Sequence, residues 1–542
     1  MKDRNQIPFR LALAVWIAAT IIRLVYSPGY SGLSFDDTAY ATSGQHLLLY
    51  HHGYWGDTLR PLAVWWCAFF HWLNGIDIRN LGLAFAALRS VGELFLILAS
   101  RRFFPQYPAI PLMTAILSAA SFLGNLYGDQ HLSSLLFAIP FSLYFYSRWA
   151  AAGGWGNWLA CAFGSGLVFL GHYNTVHALA FMLAAEMFRL IFLKREKLPT
   201  ALAAGFSGIL VCLATIMVIG KFSYGFANWI TYFKRIWIQI SENQTHHGMK
   251  ASLSDGFLLS LASWEGLGFF ICMAGLAWLL LRIWREPRES PFFCLPLVPL
   301  AAGGLVFLRV SLNFLSFPRL YALTLPFLWL CGGALLACIV EKLLAQKNES
   351  RRLIPLALAA MCGVIFCAAH QGQIARFASG NVALETYIKA RPAKKFVMFN
   401  GNPHLAAYLF NWQWTGLNET RQQAAGAYKS LGAEKFDAQQ PPGLRGLDAW
   451  PYLQHPQLYS VCDLIIFEGC NANDLMKYDA MIRTACPSIA VTNLYHGPRQ
   501  YLPLQADEGG ALSQPPRFNE NNHLPIMRIY DLRGAPAKQA AP

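Results

Sequence analysis

Long apolar runs recur from residue 9 to about residue 370, separated by short polar or basic stretches. Because a helix needs about 20 apolar residues to cross a bilayer, the pattern predicts a polytopic membrane protein with about eleven transmembrane helices. The first run lacks a small-residue cleavage site, so we expect an anchor and not a signal peptide. The predicted spans are 9–27, 79–100, 108–125, 131–148, 155–171, 175–193, 200–220, 264–284, 292–310, 320–340 and 353–370.

Two long connections, 28–78 and 221–263, are predicted to be outer loops. Within the first loop the run Leu62–Leu73 is apolar but short and rich in Trp and Phe, which is typical of a helix lying in the membrane interface. With the N-terminus inside, the cytoplasmic segments hold about twice as many lysines and arginines as the outer ones, which favours a C-terminus outside. The net charge of +14 has the same explanation, so we expect no nucleic-acid partner.

The tail has a different composition and predicts a second domain. Residues 1–375 form the predicted membrane domain, and residues 376–542 are polar with short apolar runs. Strands are predicted at 395–399, 464–467, 489–492 and 526–532, with helices at 403–412 and 473–485, which indicates a small extracytoplasmic α/β domain. Outside the cytoplasm Cys470 and Cys486 could form a disulfide.

Adjacent carboxylates, Asp36 and Asp37, follow the first apolar run. Carboxylates at a membrane boundary are costly unless they have a function or a partner. Ser34 and Asp37 have the spacing of a capping box that opens a helix over 35–49, which explains Asp37 structurally. Asp36 shares a helix face with Tyr40, and a carboxylate beside an aromatic ring there would suit a general base. The alternative is a second acid favoured by the helix dipole.

Cations are expected on the same outer side. Pro61 can open the interfacial helix, so Arg60 would lie at a helix N-terminus, where a cation and backbone N–H groups suit a phosphate. Arg319 opens a late span and would add positive charge at that face. The alternatives are a snorkelling Arg60 and an Arg319 that anchors to lipid headgroups.

Three further polar residues lie at predicted outer boundaries. Asp129 could orient a substrate hydroxyl, share a divalent cation, or be an ordinary loop acid. His172 and His177 could bind a metal together with Asp129, or they could be hydrogen-bonded histidines without a ligand. The cysteines show no metal-site spacing, so a divalent cation is left open and no other cofactor is predicted.

These residues together resemble membrane glycosyltransferases of the GT-C fold, closest to glycosyltransferase family 39, with its protein O-mannosyltransferases and aminoarabinose transferases. The Asp-Glu-x-x-Tyr-Ala pattern of that group is similar to residues 36–41, with Asp replacing Glu. Its Lys/Arg-Pro-Pro-Leu motif resembles residues 60–62, with one proline missing. Arg89 and Asp129 match recurrent positions, and residues 319–326 resemble a late Arg-Tyr-x-x-Pro-x-x-Pro-like element with a shifted tyrosine.

The resemblance covers about residues 9–340 and implies a hexosyl- or pentosyltransferase. Such an enzyme moves a single sugar, with inversion, from a polyprenyl-phosphate donor to a glycan, lipid or protein acceptor of the cell envelope. The reaction would take place on the outer face of a bacterial inner (plasma) membrane.

The resemblance also implies roles for single residues. Asp36, with Asp37 beside it, would be the catalytic carboxylate, and Arg60 and Arg319 would bind the donor phosphate. The acceptor or a cation would be positioned by Asp129, Tyr40 and His172. One alternative is a transporter or flippase for a lipid-linked sugar, which would favour internal repeats that the sequence lacks. Another is a scaffold whose tail binds an envelope partner.

Overall fold

The computed structural model is described for the greater part of the membrane region and for part of the tail. The described residues are 6–26, 35–50, 60–120, 132–172, 175–193, 198–224, 265–285, 299–300, 324–345, 349–375, 380–390, 396–399, 453, 459, 463–468, 472–494 and 527–533.

Helices dominate these residues, which confirms a helical polytopic membrane protein. In chain order the helices are α1 Gln6–Tyr26, α2 Phe35–Tyr50, α3 Pro61–Asn74, α4 Ile78–Phe103, α5 Ile110–Ala120, α6 Ser133–Ala152, α7 Trp155–Gly171, α8 Val176–Phe188 with a π-helical extension Arg189–Leu193, α9 Leu198–Tyr224, α10 Glu265–Arg285, α11 Leu325–Leu344, α12 Glu349–Ala375, α13 Gly380–Ala390 and α14 Ala472–Ala485. Within the described ranges, 6 stretches are long and apolar enough to cross a membrane: Gln6–Tyr26, Arg79–Phe103, Pro199–Phe222, Leu267–Arg285, Leu325–Leu344 and Arg352–Ala369.

Every predicted span except 292–310 overlaps one of these helices. Apart from residues 299–300, that span lies outside the described residues, so the total of about eleven stays a prediction. The helices predicted inside the first outer loop are confirmed as α2 and α3. Helix α9 continues to Tyr224, into the second predicted loop 221–263, and the rest of that loop lies outside the described residues.

Close packing of the membrane helices depends on small residues at their crossings. Gly92 of α4 lies against the backbone of Leu136 in α6, and a Cβ atom at this position would overlap that carbonyl group. In a bilayer, where water provides little driving force between helices, such close backbone contact is a main source of helix association.

Contacts at the two ends of α4 show which parts of the chain lie at opposite ends of this helix. At its C-terminal end the guanidinium of Arg101 lies 4.9 Å from the ring centre of Phe9, near the start of α1. At its N-terminal end Asp77 accepts a 3.0 Å salt bridge from Lys389 of α13. Because α4 is about 39 Å long at 1.5 Å per residue, the beginning of α1 and the tail lie at opposite ends of a membrane-length helix.

The tail contains a four-stranded sheet in the order β1-β2-β4-β3. Its strands are β1 Phe396–Phe399, β2 Leu464–Glu468, β3 Ala490–Leu494 and β4 Met527–Asp531, so the four predicted strands are present. β1 and β2 are parallel, and the other two pairs are antiparallel. On one face Phe467 stacks on Tyr478 of α14, with ring centres 5.1 Å apart.

Some predictions for the tail are only partly tested. The helix predicted at 473–485 corresponds to α14, whereas the helix predicted at 403–412 lies outside the described residues. Cys486 is a free, buried cysteine, and Cys470 is also outside the described residues. The domain boundary at 376 stays a prediction.

Candidate functional site

Arg60 lies at the N-terminus of α3, as the sequence predicts. Pro61 occupies the first helical position, where its missing N–H costs nothing. The backbone carbonyl of Arg60 accepts hydrogen bonds from the N–H groups of Ala63 at 3.1 Å and Val64 at 3.3 Å. These two N–H groups are therefore used inside the helix, so positive charge at this end comes mainly from the guanidinium and not from exposed helix donors.

Among the described residues, Tyr40 and His172 contact the guanidinium of Arg60, a residue that is only 7% exposed. Its central carbon lies 5.5 Å from the ring centre of Tyr40 in α2, which is a cation–π contact. Its Nη2 atom lies 3.1 Å from Nε2 of His172. Tyr40 and His172 are each 3% exposed. The structure thus brings together three residues that the sequence predicts to be functional.

The Arg60–His172 bond fixes the state of the imidazole. A guanidinium has donors and no acceptor, so Nε2 of His172 must accept the hydrogen bond from Arg60. The imidazole is therefore neutral, with its proton on Nδ1. A neutral histidine orients the Arg60 side chain without opposing its charge.

The turn after α7 positions His172. Its backbone N–H donates to the carbonyl groups of Val168 and Phe169, both at 3.1 Å, and so ends the helix. The Thr175 hydroxyl donates back to the His172 carbonyl at 2.6 Å. Gly171, just before it, lies so close to α6 that a Cβ atom would be 2.9 Å from Leu135. The imidazole consequently has a fixed base at the end of α7.

Two contacts orient α3, and with it Arg60. The indole N–H of Trp66 donates to the Ala84 carbonyl of α4 at 2.7 Å. On the other side α2 crosses α3 at Gly44, where a Cβ atom would lie 2.6 Å from Cβ of Cys67. These contacts place Tyr40 and Arg60 on neighbouring, closely packed helices.

The predicted carboxylates can be located only by their backbone. Asp36 and Asp37 lie in the first turn of α2, and Asp36 precedes Tyr40 by one helical turn. The side chains of both residues, and that of His177, are outside the described part of the structure. Asp129 and Arg319 lie wholly outside it. Whether all these residues join Arg60 therefore stays a prediction.

The residues that the structure describes contain no group of three His, Cys, Asp or Glu side chains that could hold a metal ion. Another histidine near the site, His71 of α3, is 1% exposed. Burial lowers the pKa of His71 to about 4, although the backbone carbonyls of Gly75 and Ala41 act in the opposite direction. His71 is thus a neutral part of the protein interior at physiological pH.

A buried charged cluster was missed by the sequence analysis. Glu93 of α4 forms salt bridges with Arg23 of α1 and, at 3.1 Å, with Arg89 of its own helix. Arg89 also donates to the Ser118 carbonyl of α5 at 3.0 Å. Ionisable residues inside apolar spans are the signal that could have revealed the cluster, because such residues are rare unless paired. Here they tie three helices together.

We expect Glu93→Gln to destabilise the membrane domain. The substitution keeps the size of the side chain but leaves Arg23 and Arg89 without their shared carboxylate, which costs about 3 kcal/mol in buried ion pairs. Thermal unfolding of the purified protein in detergent measures the loss. Glu341→Gln is the control, because Glu341 accepts one backbone hydrogen bond, from Ala109, at a helix end. A loss no larger than that of the control would contradict the structural role of the cluster.

Comparison with solved structures identifies the fold. ArnT from Cupriavidus metallidurans bound to undecaprenyl phosphate superposes with a TM-score of 0.57 and 15% sequence identity, covering 89% of this chain and 95% of that chain. The apo state of the same protein gives a TM-score of 0.53 and 14% identity, over 88% and 95% of the two chains. No protein-family model and no curated protein sequence matches. The chain is therefore an integral, multi-pass membrane protein with the GT-C fold that its sequence resemblance predicts.

Proposed function

We propose that this protein is a glycosyltransferase that moves a single sugar from a polyprenyl-phosphate donor to an acceptor of the cell envelope. One observation carries the proposal: the buried Arg60 guanidinium, held by Tyr40 and His172, lies on a helix that packs directly against the helix that carries Asp36. A buried cation beside a carboxylate-bearing helix would combine an anion site with a base. The shared fold with an ArnT that holds undecaprenyl phosphate supports the choice of a lipid-phosphate donor.

The chemistry assigns one task to each group. Asp36 would accept the proton of the acceptor hydroxyl as that oxygen attacks the anomeric carbon. The bond from the anomeric carbon to the phosphate oxygen breaks as the new bond forms, so the configuration inverts. The phosphodiester, with one negative charge, then leaves as a phosphomonoester with greater negative charge. Arg60, and Arg319 on the late outer-side segment, would stabilise that developing charge.

The contacts refine the roles of Tyr40 and His172. Both residues were predicted to position the acceptor or a cation, but both lie against Arg60. We assign them to the donor phosphate side, where they orient the guanidinium. Acceptor positioning is left to Asp129. The reaction would take place on the outer face of a bacterial inner membrane, with the N-terminus in the cytoplasm and the tail outside.

Sugar transfer by the purified protein tests the proposal. The protein in lipid nanodiscs is incubated with radiolabelled polyprenyl-phosphate hexoses or pentoses and with fractionated envelope acceptors. We expect label in the acceptor fraction and stoichiometric release of polyprenyl phosphate. In liposomes, movement of the labelled lipid across the bilayer without transfer would instead indicate a flippase for lipid-linked sugars.

Two substitutions of His172 test whether this residue acts by positioning the Arg60 guanidinium through a hydrogen bond. His172→Gln can still accept a hydrogen bond from Arg60 through its amide oxygen, so it should retain the affinity for undecaprenyl phosphate, the product lipid, within about threefold, since one neutral acceptor replaces another. His172→Ala removes the acceptor and should weaken the affinity by about tenfold. Equilibrium binding of undecaprenyl phosphate measures both values. Equal losses in the two variants would contradict the positioning role.

A further inference from the structure

One face of the tail sheet belongs to a hydrophobic core that extends to helices of the membrane domain. Leu464 and Ile466 of β2 and Ile529 of β4 point to the same side of the sheet and are each 0% exposed. We call these three residues the docking face. They belong to one hydrophobic core with residues of α2, α3, α4 and α13, namely Tyr40, Ala41, Ala63, Val64, Cys67, Leu81, Phe85, Leu384 and Ile388.

The opposite face of the sheet has its own cover within the tail. Ile465 and Phe467 alternate with the docking face along β2, and Phe467 stacks on Tyr478 of α14. Tyr530 lies beside Ile465 in the sheet, and its hydroxyl donates to Asp479 of α14 at 3.0 Å. The sheet therefore has α14 on one side and, on the other, α13 and the core shared with α2, α3 and α4, which we call the outer helices.

We propose that the docking face is a clamp that holds α2 and α3 at the crossing where Tyr40 contacts Arg60. Tyr40 takes part in both structures, because it belongs to the shared core and forms the cation–π contact with Arg60. Val64 and Cys67 of α3 lie in the same core, only one to two turns after Arg60. The tail is thus a positioning element of the donor phosphate site. This inference rests on the proposed function for the role of Arg60 in phosphate binding.

Polar contacts also join α13 to the N-terminal end of α4. Lys389 of α13 forms the salt bridge with Asp77, and the side chains of these residues are 52% and 30% exposed. Arg79 donates to the Thr386 hydroxyl at 2.8 Å in an exposed position. Exposed pairs of this kind contribute little to stability. The apolar core therefore carries the coupling between the tail and the outer helices.

Neighbouring isoleucines of β2 provide a matched pair for the test. Ile466 and Ile465 are both 0% exposed and occupy adjacent positions, so they lie on opposite faces of the sheet. Ile466→Ala removes side-chain volume from the core shared with the outer helices, whereas Ile465→Ala removes it from the α14 side. Both variants create a cavity in the same sheet, so a general loss of tail stability affects the two alike.

The experiment combines amide hydrogen exchange with lipid binding on the full-length protein. In Ile466→Ala we expect exchange in α2 and α3 to rise at least tenfold, and the affinity for undecaprenyl phosphate to fall at least tenfold. In Ile465→Ala both quantities should stay within twofold of the wild type, while exchange in α14 rises.

Equal changes in the two variants, or none in α2 and α3 for Ile466→Ala, would overturn the clamp. Hydrogen exchange does not depend on transferase activity, so the two proposals can fail separately. A wild-type protein that binds no undecaprenyl phosphate would overturn the donor site. Faster exchange in α2 and α3 confined to Ile466→Ala would still support the mechanical clamp.

Discussion

Asp36→Asn is expected to lower the rate of sugar transfer about a thousandfold at saturating donor and acceptor, within the range for loss of a general base. An amide has the shape of the carboxylate but cannot take the proton of an acceptor hydroxyl. The loss corresponds to about 4 kcal/mol of transition-state stabilisation. Initial rates with a radiolabelled polyprenyl-phosphate sugar measure it.

Binding of the product lipid distinguishes a lost base from a damaged site. We expect Asp36→Asn to bind undecaprenyl phosphate within about threefold of the wild type, because the carboxylate acts on the acceptor and adds no attraction for an anion. A variant that loses lipid binding together with activity would show that Asp36 holds the site together instead.

Substitution of the neighbouring Asp37 tests which of the two carboxylates is the general base. Asp37 follows Asp36 in the first turn of α2, and consecutive positions of a helix are about 100° apart, so we expect only one of the two carboxylates to act on the acceptor. Asp37→Asn is therefore measured in parallel, and the ratio of the two losses identifies the base. A larger loss in Asp37→Asn would move the role to Asp37 and contradict the assignment to Asp36.

Helices α2 and α3 show which parts of the fold can be predicted from the sequence. Apolar length, aromatic content and Pro61 are local properties, and they are sufficient to predict α3 and the place of Arg60 at its start. The same holds for α2, whose first residue the capping pattern predicts. Such features depend on residues within a few positions of one another, so they can be recognised from the sequence without the structure.

Contacts between residues that are far apart in the sequence could not be predicted in this way. His172 lies 112 positions from Arg60, and Glu93 lies 70 positions from Arg23. No periodicity connects positions so far apart, because the contact depends on how separate helices pack. Likewise, the continuous apolar run of β2 predicts that both of its faces are buried, but it does not say that one face joins a core with α2 and α3. Motifs therefore predict candidate residues, and helix packing determines which of the described candidates meet.

Arg60→Met is expected to lower kcat/KM for the donor about a thousandfold, as for removal of a group that stabilises developing charge. The methionine side chain has similar bulk and no charge, so the contact with Tyr40 loses its cation and His172 loses its donor. The change should appear in kcat as well as in donor affinity, because negative charge on the phosphate increases as the glycosidic bond breaks.

Arg60→Lys tests whether charge alone is sufficient. A lysine restores the positive charge, but it is a point charge that cannot bind a phosphate, contact Tyr40 through a planar group and donate to His172 at once. We expect it to recover about tenfold of the lost activity. Full recovery would contradict the role of the fixed guanidinium geometry.

The two lipids of the reaction provide the sharpest control for Arg60. The product, undecaprenyl phosphate, carries more negative charge than the donor phosphodiester, so loss of a cation should weaken product binding more than donor binding. Competition experiments with Arg60→Met at equal ionic strength should therefore show a larger fold-change for the monoester than for a non-transferable diester. Equal losses for both lipids would mean that Arg60 acts on the ground state and not on the leaving group.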